Sequence, residues 1–187
     1  MTTLKVHNIE TAPEGSKALL EKSLKSNGMI PGLHGVLAGA PGIFEAYQTI
    51  HKLFTESSFN NEELTVVWQT INVEHACHYC VPAHTGIAKM MKVDDAITEA
   101  LRNETPLENP KLEALRTMTL TIVRNRGHVT QEDLDAFYAA GYGEQQVLEI
   151  ILGLSQKVIS NYTNHIANTP VDAPFQKFAW SKDDVKA

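Results

Sequence analysis

Apolar residues recur along this chain at helical spacing, in segments of about 10 to 20 residues separated by capping signals, and clean period-two alternation is missing throughout. That patterning makes the fold class all-α. The clearest helix carries Leu112, Leu115, Thr119, Ile122 and Val123 on one face. Asn109 and Pro110 supply its N-cap and a preset first residue, and Gly127 supplies a stop. Thr130 and Asp133 have the spacing of a capping box ahead of Leu134, Phe137 and Tyr138, with Gly141 closing the segment. Residues 144–168 predict a longer helix, apolar nearly all round at its start, which places it centrally or between subunits.

Residues 16–25, 44–54 and 94–102 also fit helices, whereas the glycines, Pro31 and Pro41 of residues 28–42 read as loop with at most a short turn of helix. In residues 60–76 two signals conflict. Thr65, Val66, Val67, Thr70, Ile71 and Val73 are β-branched and favour a strand. Length, the Asn60/Glu63 start signal and the lack of alternation favour a helix.

With 187 residues, 43% of them hydrophobic, the chain suits one well-buried domain, residues 1–187, with residues 1–15 and 171–187 as peripheral, weakly structured arms. Sixteen basic against 22 acidic residues give a net charge of −6, so nucleic acid is not an expected partner. The longest apolar run, residues 147–154, is broken by Glu149 and Gly153 and falls far short of the roughly 20 residues of a membrane span. Residues 1–15 lack the apolar core and cleavage site of a secretory signal, and a reducing cytoplasm is the expected location. There, two cysteines three positions apart serve chemistry or metal binding rather than a structural cross-link.

Functional side chains concentrate in Glu74-His75-Ala76-Cys77-His78-Tyr79-Cys80-Val81-Pro82-Ala83-His84. Pro82 is comfortable only in a first helical turn, so a new helix should begin near Cys80. A cysteine at a helix start has its thiolate stabilised, which makes Cys80 the better nucleophile. His84 follows one turn later on the same face, where its imidazole can accept the thiol proton or stabilise the thiolate. Cys77 stands as the resolving thiol. Thiolate attack on a peroxide O–O bond gives a sulfenic acid at Cys80, which Cys77 condenses to a disulfide. An external dithiol then reduces it.

The rival reading is a zinc-stabilised helical interaction module with Cys77, Cys80, His84 and His75 or His78 as ligands. Against it, no second Cys or His pair stands at finger-like spacing, so no metal or cofactor is assigned. A thiol–disulfide oxidoreductase or redox sensor is a further alternative. His165 and Asn161 could face the site from the last helix, although packing is the more economical role for a single histidine. Trp68 reads as core or interface filling, Met90 and Met91 as packing residues, and His7, His34, His51 and His128 show no informative spacing.

The run from Asn72 to His84, with Cys77-x-x-Cys80-x-x-x-His84 inside it, resembles the alkylhydroperoxidase D-like, or carboxymuconolactone decarboxylase, family in its peroxidase-related branch. The resemblance extends less specifically over residues 44–172, including Ser160 to Ile166. It implies an all-helical bundle of two related halves, assembled as dimers, trimers or hexamers. It also implies peroxidase activity with Cys80 as the peroxidatic cysteine, and a lipoyl or thioredoxin-like protein as reductant. The family's proton-relay glutamate would fall at position 65, which here is Thr65. Either Glu63 or Glu74 takes over the relay, or the relay is lost, and Glu74 is preferred as the nearer in sequence to both thiols. Tyr79, where some members carry histidine, would either donate to the peroxide or pack. The paired cysteines speak against the decarboxylase activity of other members.

Overall fold

The protein is described here from a computed structural model covering residues 4–185. Nine α-helices follow in order among the described residues: α1 Glu14–Asn27, α2 Gly32–Leu37, α3 Pro41–Thr55, α4 Asn61–Glu74, α5 Cys80–Met90, α6 Asp95–Arg102, α7 Pro110–Arg124, α8 Gln131–Ala139 and α9 Glu144–Ala167. Two 3-10 turns, Ala173–Phe178 and Lys182–Asp184, complete them, and no strand is present among these residues. No helix there is long and apolar enough to cross a membrane.

The conflict over residues 60–76 resolves in favour of helix. Asn60 accepts a hydrogen bond from the Glu63 N–H while the Glu63 carboxylate accepts one from the Asn60 N–H, forming the anticipated capping box. Every residue of α4 from Glu63 to Val73 is buried. A β-branched residue costs at most about 0.7 kcal/mol of helix propensity. Burying a valine or isoleucine side chain returns about 1.5–3 kcal/mol, so packing overrides the strand preference at Val66, Val67 and Ile71. The helix forms the centre of the molecule, with α5, α6, α7 and α9 packed around it.

Other start and stop signals act as read. Asn109 caps α7 through the Lys111 N–H with Pro110 as its first residue, and Thr130 and Asp133 close a capping box on α8. Gly127 and Gly141 take left-handed φ values of 84° and 92° after α7 and α8. Residues 28–42 are more helical than expected. Pro31 presets the entry to α2, which buries Leu33, Val36 and Leu37, and Pro41 is the first residue of α3.

Helix α9 packs on α2, α3, α4 and α5, but it is not covered all round. Ile150 is buried while Leu148 is 67% exposed. A Cβ on Gly153 would stand 2.7 Å from the Phe54 ring, so this glycine sets how closely α9 approaches α3. Beyond it the inward face of α9 turns polar: Gln156, Lys157, Ser160, Asn161 and Asn164 are all buried. These residues meet the core between two apolar clusters, one around Trp68, Phe54 and Leu115, the other around Leu20, Phe44 and Tyr47 with both cysteines.

The C-terminal segment, expected to be weakly structured, instead packs on α5. Phe175 occupies the space that Gly86 leaves free, where a Cβ would come within 2.5 Å of its ring. Arg102 donates to the carbonyls of Phe178 and Ala179, and Trp180 Nε1 donates to the Arg102 carbonyl at 3.0 Å. Aromatic payload and this guanidinium fix the stretch against the helical core. Gly86→Ala is therefore expected to displace Phe175, lower stability by about 1–3 kcal/mol and open the segment to limited proteolysis. Unchanged melting and cleavage would contradict this packing.

Candidate active site

The cysteines lie where α4 hands over to α5. After α4 ends at Glu74, Ala76 adopts a left-handed φ of 53° and the Cys77 N–H bonds back to the Asn72 carbonyl at 2.9 Å. Helix α5 starts at Cys80, with Pro82 in its first turn as its missing N–H demands. The Cys80 N–H donates to the Cys77 sulfur at 3.3 Å, which brings the two free thiols together. Both are buried, Cys77 fully and Cys80 to 3% exposure.

From α9, Asn164 Nδ2 donates to Cys80 Sγ at 3.3 Å. Two turns earlier stands Lys157, fully buried, with its ammonium hydrogen-bonded to His84 Nε2 and lying 5.4 Å from the centre of the Trp68 ring. The Trp68 and His84 rings are tilted against each other at 4.8 Å. Trp68 Nε1 donates to Gln156 Oε1 at 2.7 Å, and Gln156 Nε2 donates to His51 Nδ1 at 2.9 Å. His51 stacks between Trp68 and Tyr47. A chain of amides supports the other side: Asn161 donates to Asn72, Asn72 to Gln69, and Gln69 to Thr85 and the Val81 carbonyl.

These neighbours decide the charge on sulfur. Burial by itself pushes the Cys80 thiol up. The hydrogen bond from Cys77, the Lys157 charge and the amides of Asn164 and Asn161 together outweigh it and hold Cys80 at about 6. Cys77 is driven strongly upward by its bond to Cys80, by burial and by the charge beside it. The pair therefore consists of a thiolate at Cys80 and a thiol at Cys77 that donates to it. Burial lowers Lys157 to about 8, with the charge on Cys80 and Cys77 opposing that fall. Burial, then Lys157 and His51, hold His84 well below the ordinary histidine range, so its imidazole is neutral. Because Nε2 accepts from Lys157, the ring proton sits on Nδ1, a buried donor without a partner.

Cys77, Cys80 and His84 are thus gathered around one helix start, but the expected roles shift. No hydrogen bond joins His84 to Cys80, and the cation facing the thiolate is Lys157. Glu74 is turned to α7, where both its oxygens accept from Arg124 at 2.9 and 2.7 Å. The Arg124 hydrogen bonds, acting against partial burial, lower its carboxyl below the usual range. Glu63 is taken up by its capping box and by Lys111 at 3.1 Å, and Thr65 donates to the Asn61 carbonyl. Among the described residues no carboxylate hydrogen-bonds to Cys77, Cys80, His84 or Lys157.

Tyr79 does more than pack. Its hydroxyl donates to Asp172 and accepts from the Leu33 N–H, while Asp172 also accepts from the Gly32 N–H at 3.0 Å. The segment after α9 is thereby pinned across the cysteine turn. His78 adds a bond to the Thr169 carbonyl at 3.0 Å, and His75 pairs with Asn161 at 3.0 Å. His75 and His78, considered as zinc ligands, are engaged elsewhere, and no three His, Cys, Asp or Glu side chains among the described residues are grouped for a metal. Of the other residues weighed, Asn161 lies in the buried network and His165 is exposed, stacked near His78. Met90, expected to pack, is exposed.

No family model matches the sequence, and no curated protein matches it. Solved structures do. One is an uncharacterized peroxidase-related protein from Ralstonia eutropha JMP134, described as an alkylhydroperoxidase AhpD core; it superposes with a TM-score of 0.80 over 93% of this chain and 94% of that one, at 16% identity. The chain has the alkylhydroperoxidase D-like fold. A second such structure, an uncharacterized peroxidase-related protein from Silicibacter sp. TM1040, gives a TM-score of 0.74 at 15% identity over 93% of each chain. At these identities the likeness establishes the all-helical fold, and what the site does rests on its own side chains.

Proposed function

We propose that the protein is a cysteine-dependent peroxidase that reduces hydrogen peroxide or organic hydroperoxides through a Cys77–Cys80 thiol–disulfide cycle. The observation that carries this reading is the buried Cys80 sulfur, which accepts from Asn164 Nδ2 at 3.3 Å beside Cys77 and is lowered to about 6 by Cys77, the Lys157 charge and the Asn164 amide. A thiolate in a water-poor pocket is a strong nucleophile toward an O–O bond. The Cys80 thiolate attacks one peroxide oxygen, the O–O bond breaks, and Cys80 becomes a sulfenic acid while the other oxygen leaves as alcohol or water. Cys77 then attacks the sulfenic sulfur, expelling its oxygen as water and closing the disulfide. An external dithiol, of lipoyl or thioredoxin type, returns both sulfurs to the reduced state by exchange.

His84 Nδ1–H and the unpartnered Asn164 Oδ1 supply a buried donor and a buried acceptor. A hydroperoxide, which offers both an acceptor oxygen and an O–H, complements them, and the 3% exposure of Cys80 favours small peroxides. The apolar stripe that α9 leaves exposed through Leu148, Ile151, Tyr162 and Ile166 is consistent with a homo-oligomer. A reducing compartment, the cytoplasm, suits the free thiols.

Stopped-flow peroxide consumption with dihydrolipoamide as reductant tests the reading. The rate is expected to rise with pH through about 6, as Cys80 ionises, and to level off below neutrality. Consumption no faster than that of free cysteine would refute the activity.

A further inference from the structure

Cleaving a peroxide leaves an oxygen that needs a proton, and among the described residues no carboxylate hydrogen-bonds to Cys80, His84 or Lys157 to give it. They do hold a buried ammonium. Lys157 is fully enclosed, hydrogen-bonded to a neutral imidazole, over the face of Trp68, and among the described residues has no acidic side chain as ion-pair partner. The titratable groups that face it are His84 and the cysteines from α5 and its leading turn, with His51 and Tyr47 from α3 and His34 of α2 behind them. Only the Cys80 thiolate among these offers it a negative charge at neutral pH.

We propose that Lys157 is the proton donor of the redox cycle, surrendering its proton to the departing oxygen as the Cys80 thiolate is consumed. The inference rests on the redox reading of the two cysteines and adds to it the group that does the work of the missing glutamate. Its physical basis is charge balance in a dry site. A buried ammonium is stable while a thiolate stands beside it, and it becomes an unpaired buried charge once that sulfur is oxidised. Losing the thiolate therefore expels the proton at the moment the leaving oxygen needs one.

The steps balance. Cys80 thiolate, Lys157 ammonium and a hydroperoxide give Cys80 sulfenic acid, Lys157 free amine and an alcohol. Condensation then converts the Cys77 thiol and the sulfenic acid into a disulfide and water, the thiol proton leaving with the expelled oxygen. Reduction by a dithiol restores two cysteine protons, one of which returns to Lys157 as Cys80 ionises. Oxidation of the pair by peroxide thus exchanges no net proton with solvent.

Proton counting tests this. The reduced wild-type protein is mixed with peroxide at pH 7 in weak buffer containing a pH indicator, and the thiolate absorbance of the same sample is recorded. A thiolate present at the start and no proton taken up per disulfide is the expected result. In Lys157→Met, assayed at a pH alkaline enough to ionise Cys80, one proton should be taken up per disulfide, with the rate constant of the ionised form reduced by about 10²-fold. A thiolate present with one proton taken up by the wild type would overturn the proposal, and so would the absence of a thiolate. The wild-type count needs no variant to fold. Repeating it with oxidised lipoamide separates the two readings: a disulfide formed from lipoamide without proton uptake, but none formed from peroxide, would leave Lys157 in its role and remove the peroxidase.

Discussion

Cys80→Ser is expected to lose peroxide consumption by at least about 10³-fold, whereas Cys77→Ser completes one turnover and stops at a sulfenic acid on Cys80 that a dimedone-type trap and mass spectrometry would detect. The asymmetry follows from the environments of two sulfurs three positions apart. Cys80 accepts from Cys77 and Asn164 and faces Lys157, all of which favour its anion. Cys77 is driven upward by the same hydrogen bond and by the charge next to it, so it remains a thiol until a sulfenic acid forms. A serine at position 77 can still donate to Cys80, which keeps the nucleophile charged while removing the resolver. Sulfenic acid accumulating on Cys77 in Cys80→Ser, and not the reverse, would invert the roles.

The largest loss of stability is expected from Trp68→Ala, about 3–5 kcal/mol, measured by denaturant unfolding. Trp68 is almost fully buried and touches the rings of Phe54, His51 and His84 as well as the Lys157 ammonium. Truncation opens a cavity in the main core and leaves Gln156 Oε1 without its donor. Trp68→Phe keeps most of the packing and should cost less than half as much. A loss below about 1 kcal/mol for the alanine variant would show that the indole does not organise this core.

The helices were legible because their punctuation is local. Asn60 with Glu63, Asn109 with Pro110, Thr130 with Asp133 and Pro82 after Cys80 each act on backbone groups a few residues away. Residues 28–42 and the segment after α9 were misread because distant partners decide them: Leu33 and Leu37 enter a core built largely from other helices, and Phe175 needs the gap at Gly86. The same holds for the site. Cys77, Cys80 and His84 share one short motif, but Lys157, Asn164, Gln156 and His51 come from helices far away in the chain.

One signal in the sequence pointed to part of that set. Gln156, Lys157, Ser160, Asn161 and Asn164 recur every three or four residues on the last helix, and a polar stripe on the inward face of an otherwise apolar helix needs buried partners. Glu74 was preferred as a relay on proximity in sequence alone, and Arg124, fifty positions on, holds it. Nearness along the chain says little about which way a side chain at a helix end turns.

The charge on Cys80 is the property from which the rest follows, and ultraviolet titration of the thiolate in reduced protein reads it directly. One thiolate is expected to appear with a midpoint near 6 in the wild type and to vanish in Cys80→Ser, with Cys77 silent across the neutral range. A midpoint near the value of about 8.5 for an unperturbed cysteine would contradict the account.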